Sequence, residues 1–465
     1  MDTKILVKLF IYKGRFFVYT PYSNNILCIT KEQYKELQRL AKLDLNEYLS
    51  ENNYTQEYRD IVMLIKSGLI TQHFIEDIKH PATDDYPLIV NRGMQRLILQ
   101  VTQRCNFSCR YCHNIYSKSA RFVSERSDMN WNVAKQSVDY FINHSQDSES
   151  VDIYFYGGEP LLNFTLIKKV VEYLELRINT KSVIYHITTN GSLLTEEVAI
   201  FLAKYKFKVA ISIDGNNERQ NWARKFADGG YTYDIVWDKI QMLQTLYGEH
   251  NNIMFLPVVF ADEDRKKVVY FFESNGIEQN RIILLEANVS GIDYAHSLIQ
   301  KEPSKEKVIN ASLVDFDNID EDKFNDFVKK YDNKHNIGKI WHHAGTCIPG
   351  YFKLFVNTKG FFYPCENAPE CPDMCIGNVI DGINIENAIT VLNVGKITKE
   401  DCKNCWALRF CSMCALYCVD EEKCTMSLEI KRLNCVGLQK HTLNLLKKYI
   451  DTLYFNQENC NNGQN

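Results

Sequence analysis

The sequence predicts an α/β protein in three parts: a small N-terminal domain, a central domain with a parallel sheet, and a cysteine-rich C-terminal domain. Short apolar runs alternate with amphipathic stretches of helical length from Gln95 to about residue 300, and repeated βα units of this kind build parallel sheets. A strand-rich segment precedes these units. Twelve of the sixteen cysteines follow them, between Cys347 and Cys460. At 465 residues the chain is too long for one hydrophobic core, so several domains are expected.

Residues 1–93 are predicted to form the N-terminal domain, with three strands followed by helices. Apolar and aromatic runs between residues 5 and 29 are broken twice by turn residues. Thr30 stands three residues before Gln33, a capping box that predicts the start of a helix. A second helix is expected to end at Gly68. This order of elements predicts a winged-helix-like domain, and an ordinary N-terminal cap on the next domain is the alternative.

The central domain, residues 94–300, is predicted to be a partial (β/α)6 TIM-like barrel. The candidate strands are fewer than the eight of a complete barrel. They are the six runs LILQVT, VDIYFY, SVIYHITT, KVAISID, IMFLPVVF and RIILLEA. Functional residues of such folds lie in the loops at the C-terminal ends of the strands. Residues 301–345 are polar and charge-rich, and we expect them to form a bridging, largely helical segment.

Composition excludes several classes of function. The net charge of −4 gives no reason to expect nucleic acid as a partner. No run of about 18 apolar residues is present, so no membrane span is expected. The N-terminus lacks the compact apolar region of a signal peptide, which predicts a cytoplasmic protein with reduced thiols. Clustered cysteines in such a compartment usually bind metal.

The first cysteine cluster follows the first strand of the predicted barrel. Cys105, Cys109 and Cys112 are spaced as Cys-x3-Cys-x2-Cys. Zinc would require a fourth protein ligand close by. A [4Fe–4S] cluster is an alternative: three thiolates hold it and leave one iron open to another ligand.

The ends of the next three strands carry small and polar residues. Glycines allow close backbone approach to a ligand, a carboxylate can accept hydrogen bonds from an ammonium group, and hydroxyl and carboxylate groups suit ribose. Singly, such strand ends are common; together, behind a three-cysteine loop, they point to one site. The residues are Gly157, Gly158 and Glu159 after the second strand, Thr189 and Asn190 after the third, and Ser212 and Asp214 after the fourth.

This combination resembles the radical SAM superfamily over about residues 95–290, with aromatic Tyr111 just before the last cysteine. The resemblance implies that Cys105, Cys109 and Cys112 ligate a [4Fe–4S] cluster whose open iron is chelated by S-adenosylmethionine. It also implies that no side chain is catalytic, because the cofactor supplies a 5′-deoxyadenosyl radical that abstracts hydrogen. Its implied cofactor contacts are Gly157, Gly158 and Glu159 for the methionyl amine, Ser212 and Asp214 for the ribose, Tyr111 near the adenine, and Thr189, Asn190 and Arg224 as further candidates.

The cysteine-rich segment, residues 346–440, resembles a SPASM domain, which carries auxiliary clusters in radical SAM peptide-modifying enzymes. Together with the radical site it implies three [4Fe–4S] clusters, and a pair of zinc ribbons is the alternative. The family pattern assigns Cys402, Cys405, Cys411 and Cys435 to the second auxiliary cluster, and Cys347, Cys365 and either Cys414 or Cys418 to the first. Residues 441–465 are expected to form a C-terminal helix and a disordered tail, with Cys460 as a free thiol.

These resemblances imply a radical SAM/SPASM peptide maturase of the thioether-forming, ranthipeptide or sactipeptide type, with an N-terminal leader-peptide recognition element. Its partners would be a ribosomally made, cysteine-containing precursor peptide with a leader, and a flavodoxin- or ferredoxin-like electron donor. Carbon–carbon cross-linking, formylglycine formation and a non-enzymatic, metal-containing peptide-binding scaffold are the alternatives. The first auxiliary cluster has three pattern-matched ligands, so an open iron could hold a substrate cysteine, unless Cys371 or Cys375 closes it.

Overall fold

The computed structural model describes most of the chain. The predicted bridging segment lies largely outside the described residues, and so do Cys460 and the end of the predicted tail. The described ranges are 4–51, 55–72, 74–112, 126–178, 181–248, 252–259, 262–286, 321–332, 337–343 and 347–455.

The N-terminal domain has the predicted order of strands followed by helices. Its antiparallel sheet places the run FFVYT in the central strand, so that an edge strand lies on each side. The capping box of Thr30 and Gln33 is confirmed. An additional short helix, Leu45–Leu49, lies between the two predicted helices; Asp44 caps it, and it was not predicted. The elements are β1 Lys8–Tyr12, β2 Arg15–Thr20, β3 Asn25–Ile29, α1 Lys31–Leu40, α2 Leu45–Leu49 and α3 Gln56–Lys66.

The central domain alternates strands and helices as predicted. Its elements, with the two that precede it, are β4 Asp77–Ile78, α4 Tyr86–Arg92, β5 Arg96–Thr102, β6 Phe107–Cys109, α5 Trp131–His144, β7 Ser150–Gly157, α6 Phe164–Arg177, β8 Ser182–Thr189, α7 Glu196–Lys204, β9 Lys208–Ile211, α8 Asn217–Ala223, β10 Arg224–Phe226, α9 Tyr233–Tyr247, β11 Ile253–Phe255, β12 Val258–Val259, α10 Asp262–Ser274 and β13 Leu285–Glu286.

The strands β5, β7, β8, β9 and β11 lie side by side and parallel in chain order. The predicted fifth strand is divided into β11 and β12, and Pro257, which has no N–H to donate, lies between them. The predicted sixth strand still runs beside it: Ile283 N–H donates to Phe255 O at 2.9 Å, and Leu285 N–H donates to Pro257 O at 2.9 Å. This sequential order is the one that a partial (β/α)6 barrel requires.

The C-terminal region is joined to the central sheet, which was not predicted. Strand β15 pairs in parallel with β5, and β16, β17 and β18 continue the sheet in antiparallel fashion. The last helix, α14, begins at Leu428, so the predicted boundary at residue 440 lies inside a helix. The elements are α11 Glu321–Asp332, β14 Ile340–Trp341, β15 Leu354–Val356, β16 Phe361–Tyr363, β17 Gly377–Asn378, β18 Gly382–Ile383, α12 Ile385–Leu392, α13 Lys399–Lys403, β19 Val419–Asp420, β20 Thr425–Met426 and α14 Leu428–Ile450.

The N-terminal domain packs against the cysteine-rich region. The ring centroids of Tyr19 and Phe410 are 6.0 Å apart inside an apolar cluster that β1 and β2 share with α11 and α14. The Arg409 guanidinium donates to Pro21 O at 3.0 Å and to Tyr22 O at 3.2 Å. A buried, hydrogen-bonded contact of this kind fixes the position of the domain. Within the described ranges, no helix is long and apolar enough to cross a membrane.

Candidate functional site

The three cysteines that follow β5, called the loop thiols here (Cys105, Cys109 and Cys112), are brought together by a small ribbon. Strand β6 ends at Cys109 and pairs with β10, which sets Arg224 opposite Cys109. Burial raises the pKa of Cys105 to about 11 and that of Cys109 to about 12, and the Cys112 thiol adds to both shifts. The loop thiols are therefore close electrostatic neighbours that need a cation in order to ionise.

Gly157 and Gly158 hold the end of β7 against the backbone that leads into the loop thiols. A Cβ atom on Gly157 would lie 2.1 Å from Thr102 O, and one on Gly158 would lie 2.3 Å from Arg104 O. Gly157 also has φ +146°, which favours glycine. The sequence predicted that these two glycines allow close approach of a ligand. In the structure, both glycines lie against the chain's own backbone.

Glu159 is completely buried and ties two strand ends together. Its carboxylate accepts from the Thr189 hydroxyl at 2.7 Å, the Asn190 N–H at 2.7 Å and the Leu161 N–H at 3.1 Å. Burial raises its pKa to about 7, against the opposing effect of these donors. The Asn190 side chain also donates to Asn106 Oδ1 at 2.8 Å, and Asn106 lies between Cys105 and Cys109 in the sequence. The predicted residues Glu159, Thr189 and Asn190 therefore form one network beside Cys105.

Asp214 is 0% exposed and is occupied by the chain's own groups. It accepts a hydrogen bond from the Tyr111 hydroxyl, lies 3.1 Å from Arg224 Nε and accepts from the Val258 N–H at 3.0 Å. The Arg224 guanidinium is 5.2 Å from the Tyr111 ring centroid and 3.9 Å from Cys109 Sγ. Asp214 thus links β9 to the loop thiols.

Ser212, which was grouped with Asp214 in the sequence, is half-buried. Its N–H donates to Thr189 O at 2.9 Å, so the ends of β8 and β9 are adjacent. Sequence reasoning missed the partnership of Arg224 with Cys109, which depends on the pairing of β6 with β10. No local signal announces it.

The predicted ligands of the second auxiliary cluster are also brought together. We call Cys402, Cys405, Cys411 and Cys435 the second thiol group. Burial raises the pKa of Cys411 well above its ordinary value, and the other three thiols of the group add to the shift. Lys431, which the sequence analysis did not single out, lies 3.5 Å from Cys402 Sγ.

The first thiol group consists of Cys347, Cys365 and Cys414. Burial raises the pKa of Cys365 to about 11 and the Cys414 thiol adds to it, while Cys347 acts in the same sense on Cys414. Lys353 lies beside this group and is paired with Glu366 at 3.0 Å.

Cys418 and Cys371 are further candidate ligands of the first cluster. Cys418, the alternative to Cys414, is an electrostatic neighbour of Cys414, Cys435 and Cys402, which places it between the two groups. The Cys371 thiol, a candidate to close the first cluster, has Cys424 as its electrostatic neighbour.

The chemistry of the donor sets fits iron–sulfur clusters. Within the described part of the chain, no three His, Cys, Asp or Glu side chains converge closely enough to hold one metal ion. A [4Fe–4S] cluster binds each thiolate on a separate iron, so its ligands do not converge on a point. The loop thiols and both thiol groups are sulfur-only donor sets, as such clusters require.

The family model of the radical SAM superfamily matches residues 99–271, which carry the loop thiols and the strand ends described above. Three curated relatives are similar in sequence. The radical SAM cyclopropyl synthase TigE of Paramaledivibacter caminithermalis is 24% identical over 93% of this chain and 91% of its own. The cysteine-type anaerobic sulfatase-maturating enzyme of Clostridium novyi is 23% identical over 59% and 74%. The sporulation killing factor maturation protein SkfB of Bacillus subtilis is 24% identical over 65% and 69%.

Among solved structures, native anSMEcpe with bound AdoMet is similar in fold. It is 21% identical, has a TM-score of 0.51, and the match covers 76% of this chain and 98% of that chain. The central sheet, the loop that carries the three thiols and the family match agree. The chain therefore contains a radical SAM domain, and its relatives include maturation proteins and anaerobic sulfatase maturases.

Proposed function

We propose that this protein is a radical SAM/SPASM peptide maturase that forms thioether links in a ribosomally made, cysteine-containing precursor peptide. The observation that carries the proposal is the presence of three separate sulfur-only donor sets, of which only the loop thiols lie in the radical SAM domain. The two thiol groups of the C-terminal region fit the auxiliary clusters of a SPASM domain. Three [4Fe–4S] clusters are accordingly part of the proposal.

Each cofactor has residues that would hold it. The loop thiols would ligate the radical cluster, and the ends of β7, β8 and β9 would face S-adenosylmethionine. When bound, these two groups supply a 5′-deoxyadenosyl radical that removes hydrogen from a C–H bond. The chain's own part is positional. Glu159 fixes the strand ends, Asp214 holds Arg224, and Arg224 places a positive charge beside Cys109.

The N-terminal domain supports a peptide substrate. Strand β3 is an edge strand. Its outer edge is partly covered, because the Ile26 N–H donates to the Tyr331 hydroxyl at 3.1 Å. Alternation along the strand points the Cys28 N–H in the same outward direction. A leader peptide would add to this edge as a further strand. The domain is docked on the cysteine-rich region, so a leader bound there would enter near the thiol groups.

Thioether formation is favoured by the first thiol group. It has three pattern-matched thiols, with Cys418 as the alternative to Cys414. Of the two thiols that could have closed it, Cys371 has Cys424 as its neighbour, and Cys375 donates to Gly377 O at 3.3 Å. A substrate cysteine would complete the set. A second candidate is formylglycine formation, because relatives include anaerobic sulfatase-maturating enzymes. Carbon–carbon bond formation is a third, because TigE is a cyclopropyl synthase.

One experiment separates the three reactions. The reconstituted enzyme is incubated without oxygen with S-adenosylmethionine, a low-potential reductant such as a flavodoxin, and a cysteine-containing peptide encoded beside its gene. A thioether lowers the peptide mass by two hydrogens per link and removes one alkylatable thiol. A carbon–carbon link gives the same mass loss with every thiol retained, and formylglycine gives an aldehyde that reacts with hydrazide. Either of the last two results overturns the thioether proposal.

A further inference from the structure

Lys431 is a buried cation that the radical mechanism does not use. It lies on α14 and is 0% exposed, although lysine is almost never fully buried without a partner. Its ammonium donates to the Thr398 hydroxyl, to Gly395 O at 3.4 Å and to Cys402 Sγ at 3.5 Å. All three acceptors are neutral in a protein whose thiols are protonated.

No carboxylate offsets this charge. Among the described residues, no Asp or Glu lies within ion-pair distance of Lys431. The carboxylate that it influences from farther away, Asp401, is partly exposed and already bonded to Arg432 at 2.6 Å. A buried charge without a partner costs several kcal/mol. The site is therefore incomplete without an anion.

The other cations beside candidate ligands differ in this respect. Arg432 is an electrostatic neighbour of Cys435 and is paired with Asp401 at 2.6 Å. Arg224 lies beside the loop thiols and faces Asp214 at 3.1 Å, and Lys353 lies beside the first thiol group and is paired with Glu366 at 3.0 Å. Their charges are balanced within the protein. In the described part of the chain, Lys431 is the cation beside a thiol group that has no carboxylate within ion-pair distance.

Thiolates and the cluster that they would hold supply an anion that fits this site. Cys402 contacts the ammonium directly, and Lys431 also acts electrostatically on Cys405, Cys418 and Cys435. Three of these four cysteines belong to the second thiol group. A [4Fe–4S] cluster with four thiolates carries net negative charge, and its reduction adds one more. The ammonium would offset that charge in a medium of low dielectric, where the interaction is strong.

We propose that Lys431 is a positioning residue that balances the charge of the second auxiliary cluster and raises its reduction potential. This inference rests on the proposed function, because it requires a cluster at the second thiol group. Charge near a cluster and hydrogen bonds to its sulfurs are established determinants of cluster potential. The second auxiliary cluster would accordingly be easier to reduce than the same ligand set without the lysine.

The test compares reconstituted full-length wild type with Lys431→Met, which keeps length and removes charge, and with Lys431→Arg, which keeps charge. Lys440→Met, an exposed lysine on the same helix, is the matched control. Iron and sulfide are counted, and the second auxiliary cluster is titrated potentiometrically by electron paramagnetic resonance. We expect Lys431→Met to disfavour reduction at least tenfold, about 59 mV for a one-electron couple. Lys431→Arg and Lys440→Met should remain near wild type.

The possible results bear separately on the cluster assignment and on the role of Lys431. Wild type with zinc in place of iron at the second thiol group would overturn the cluster assignment itself. A cluster with unchanged potential in Lys431→Met would overturn only the role of Lys431. Equal loss of the cluster in Lys431→Met and Lys431→Arg would mean that shape rather than charge is required, and would also overturn it. If Lys431→Met does not retain the cluster, Lys431→Gln is titrated instead, because its amide keeps hydrogen-bonding capacity without charge.

Discussion

Replacing Gly158 with alanine should displace the loop thiols without touching a cysteine. The new Cβ would lie 2.3 Å from Arg104 O, one residue before Cys105. An ordinary carbon–oxygen contact is about 3.3 Å, so the two backbone segments must separate by about 1 Å. A misplacement of this size costs roughly 100-fold in rate, or about 2.7 kcal/mol in the activation barrier. Overpacking should also lower the free energy of unfolding by about 1–3 kcal/mol.

The assay is 5′-deoxyadenosine formation from S-adenosylmethionine under a strong reductant, measured beside iron content and thermal unfolding. Gly338→Ala is the matched control, because the nearest atom to its Cβ would be Ile340 O at 3.7 Å. We expect the control to behave as wild type. If Gly158→Ala cleaves the cofactor at the wild-type rate, the packing of β7 against Arg104 does not position the radical site.

Further outcomes follow from the same structure. Cys105→Ala, Cys109→Ala and Cys112→Ala should each abolish 5′-deoxyadenosine formation, whereas alanine at exposed Cys28 should not; activity in any loop-thiol variant contradicts the ligand set. Asp214→Asn should lower the free energy of urea unfolding by about 3–5 kcal/mol, because Arg224 stays buried without its counter-charge; Asp228→Asn, at an exposed turn, is the control. Since burial raises the pKa of Glu159 from 4.5 to about 7, its contribution to stability should be full below pH 4.5 and lost as the pH rises through 7. The pH profile of wild type minus that of Glu159→Gln should show this loss, about 3 kcal/mol in size, and a flat difference would refute it. Cys28→Pro should weaken precursor binding, because it removes an outward N–H donor from β3, while Cys28→Ser should not; equal affinities would remove the edge from leader recognition.

The local parts of the fold could be predicted from the sequence. The capping box at Thr30, the βα alternation and the three-cysteine loop all depend on neighbours within a few residues. The division of the fifth strand at Pro257 was visible in the sequence as a proline within an apolar run, but it was not used. The helix α14 was misjudged at its start, because apolar residues are spread around it and no clear stripe marks residues 428–440.

The features that could not be predicted from the sequence depend on contacts between residues that are distant in the chain. Arg224 meets Cys109 only because β10 pairs with β6. Tyr19 meets Phe410 across almost the whole chain, and β15 joins β5 from the far side of the central domain. Lys431 is an ordinary helical lysine in the sequence, and burial beside Cys402 alone marks it. Spacing therefore predicted which cysteines lie near one another, but not the charges placed next to them.

The most direct test of the central claim follows a hydrogen atom from the peptide. The precursor is synthesised with deuterium on every carbon of its non-cysteine residues and incubated with the reconstituted enzyme and S-adenosylmethionine. We expect deuterium to appear in 5′-deoxyadenosine and its amount to rise in step with the number of thioether links in the peptide. Deuterium-free 5′-deoxyadenosine in the presence of modified precursor would contradict it.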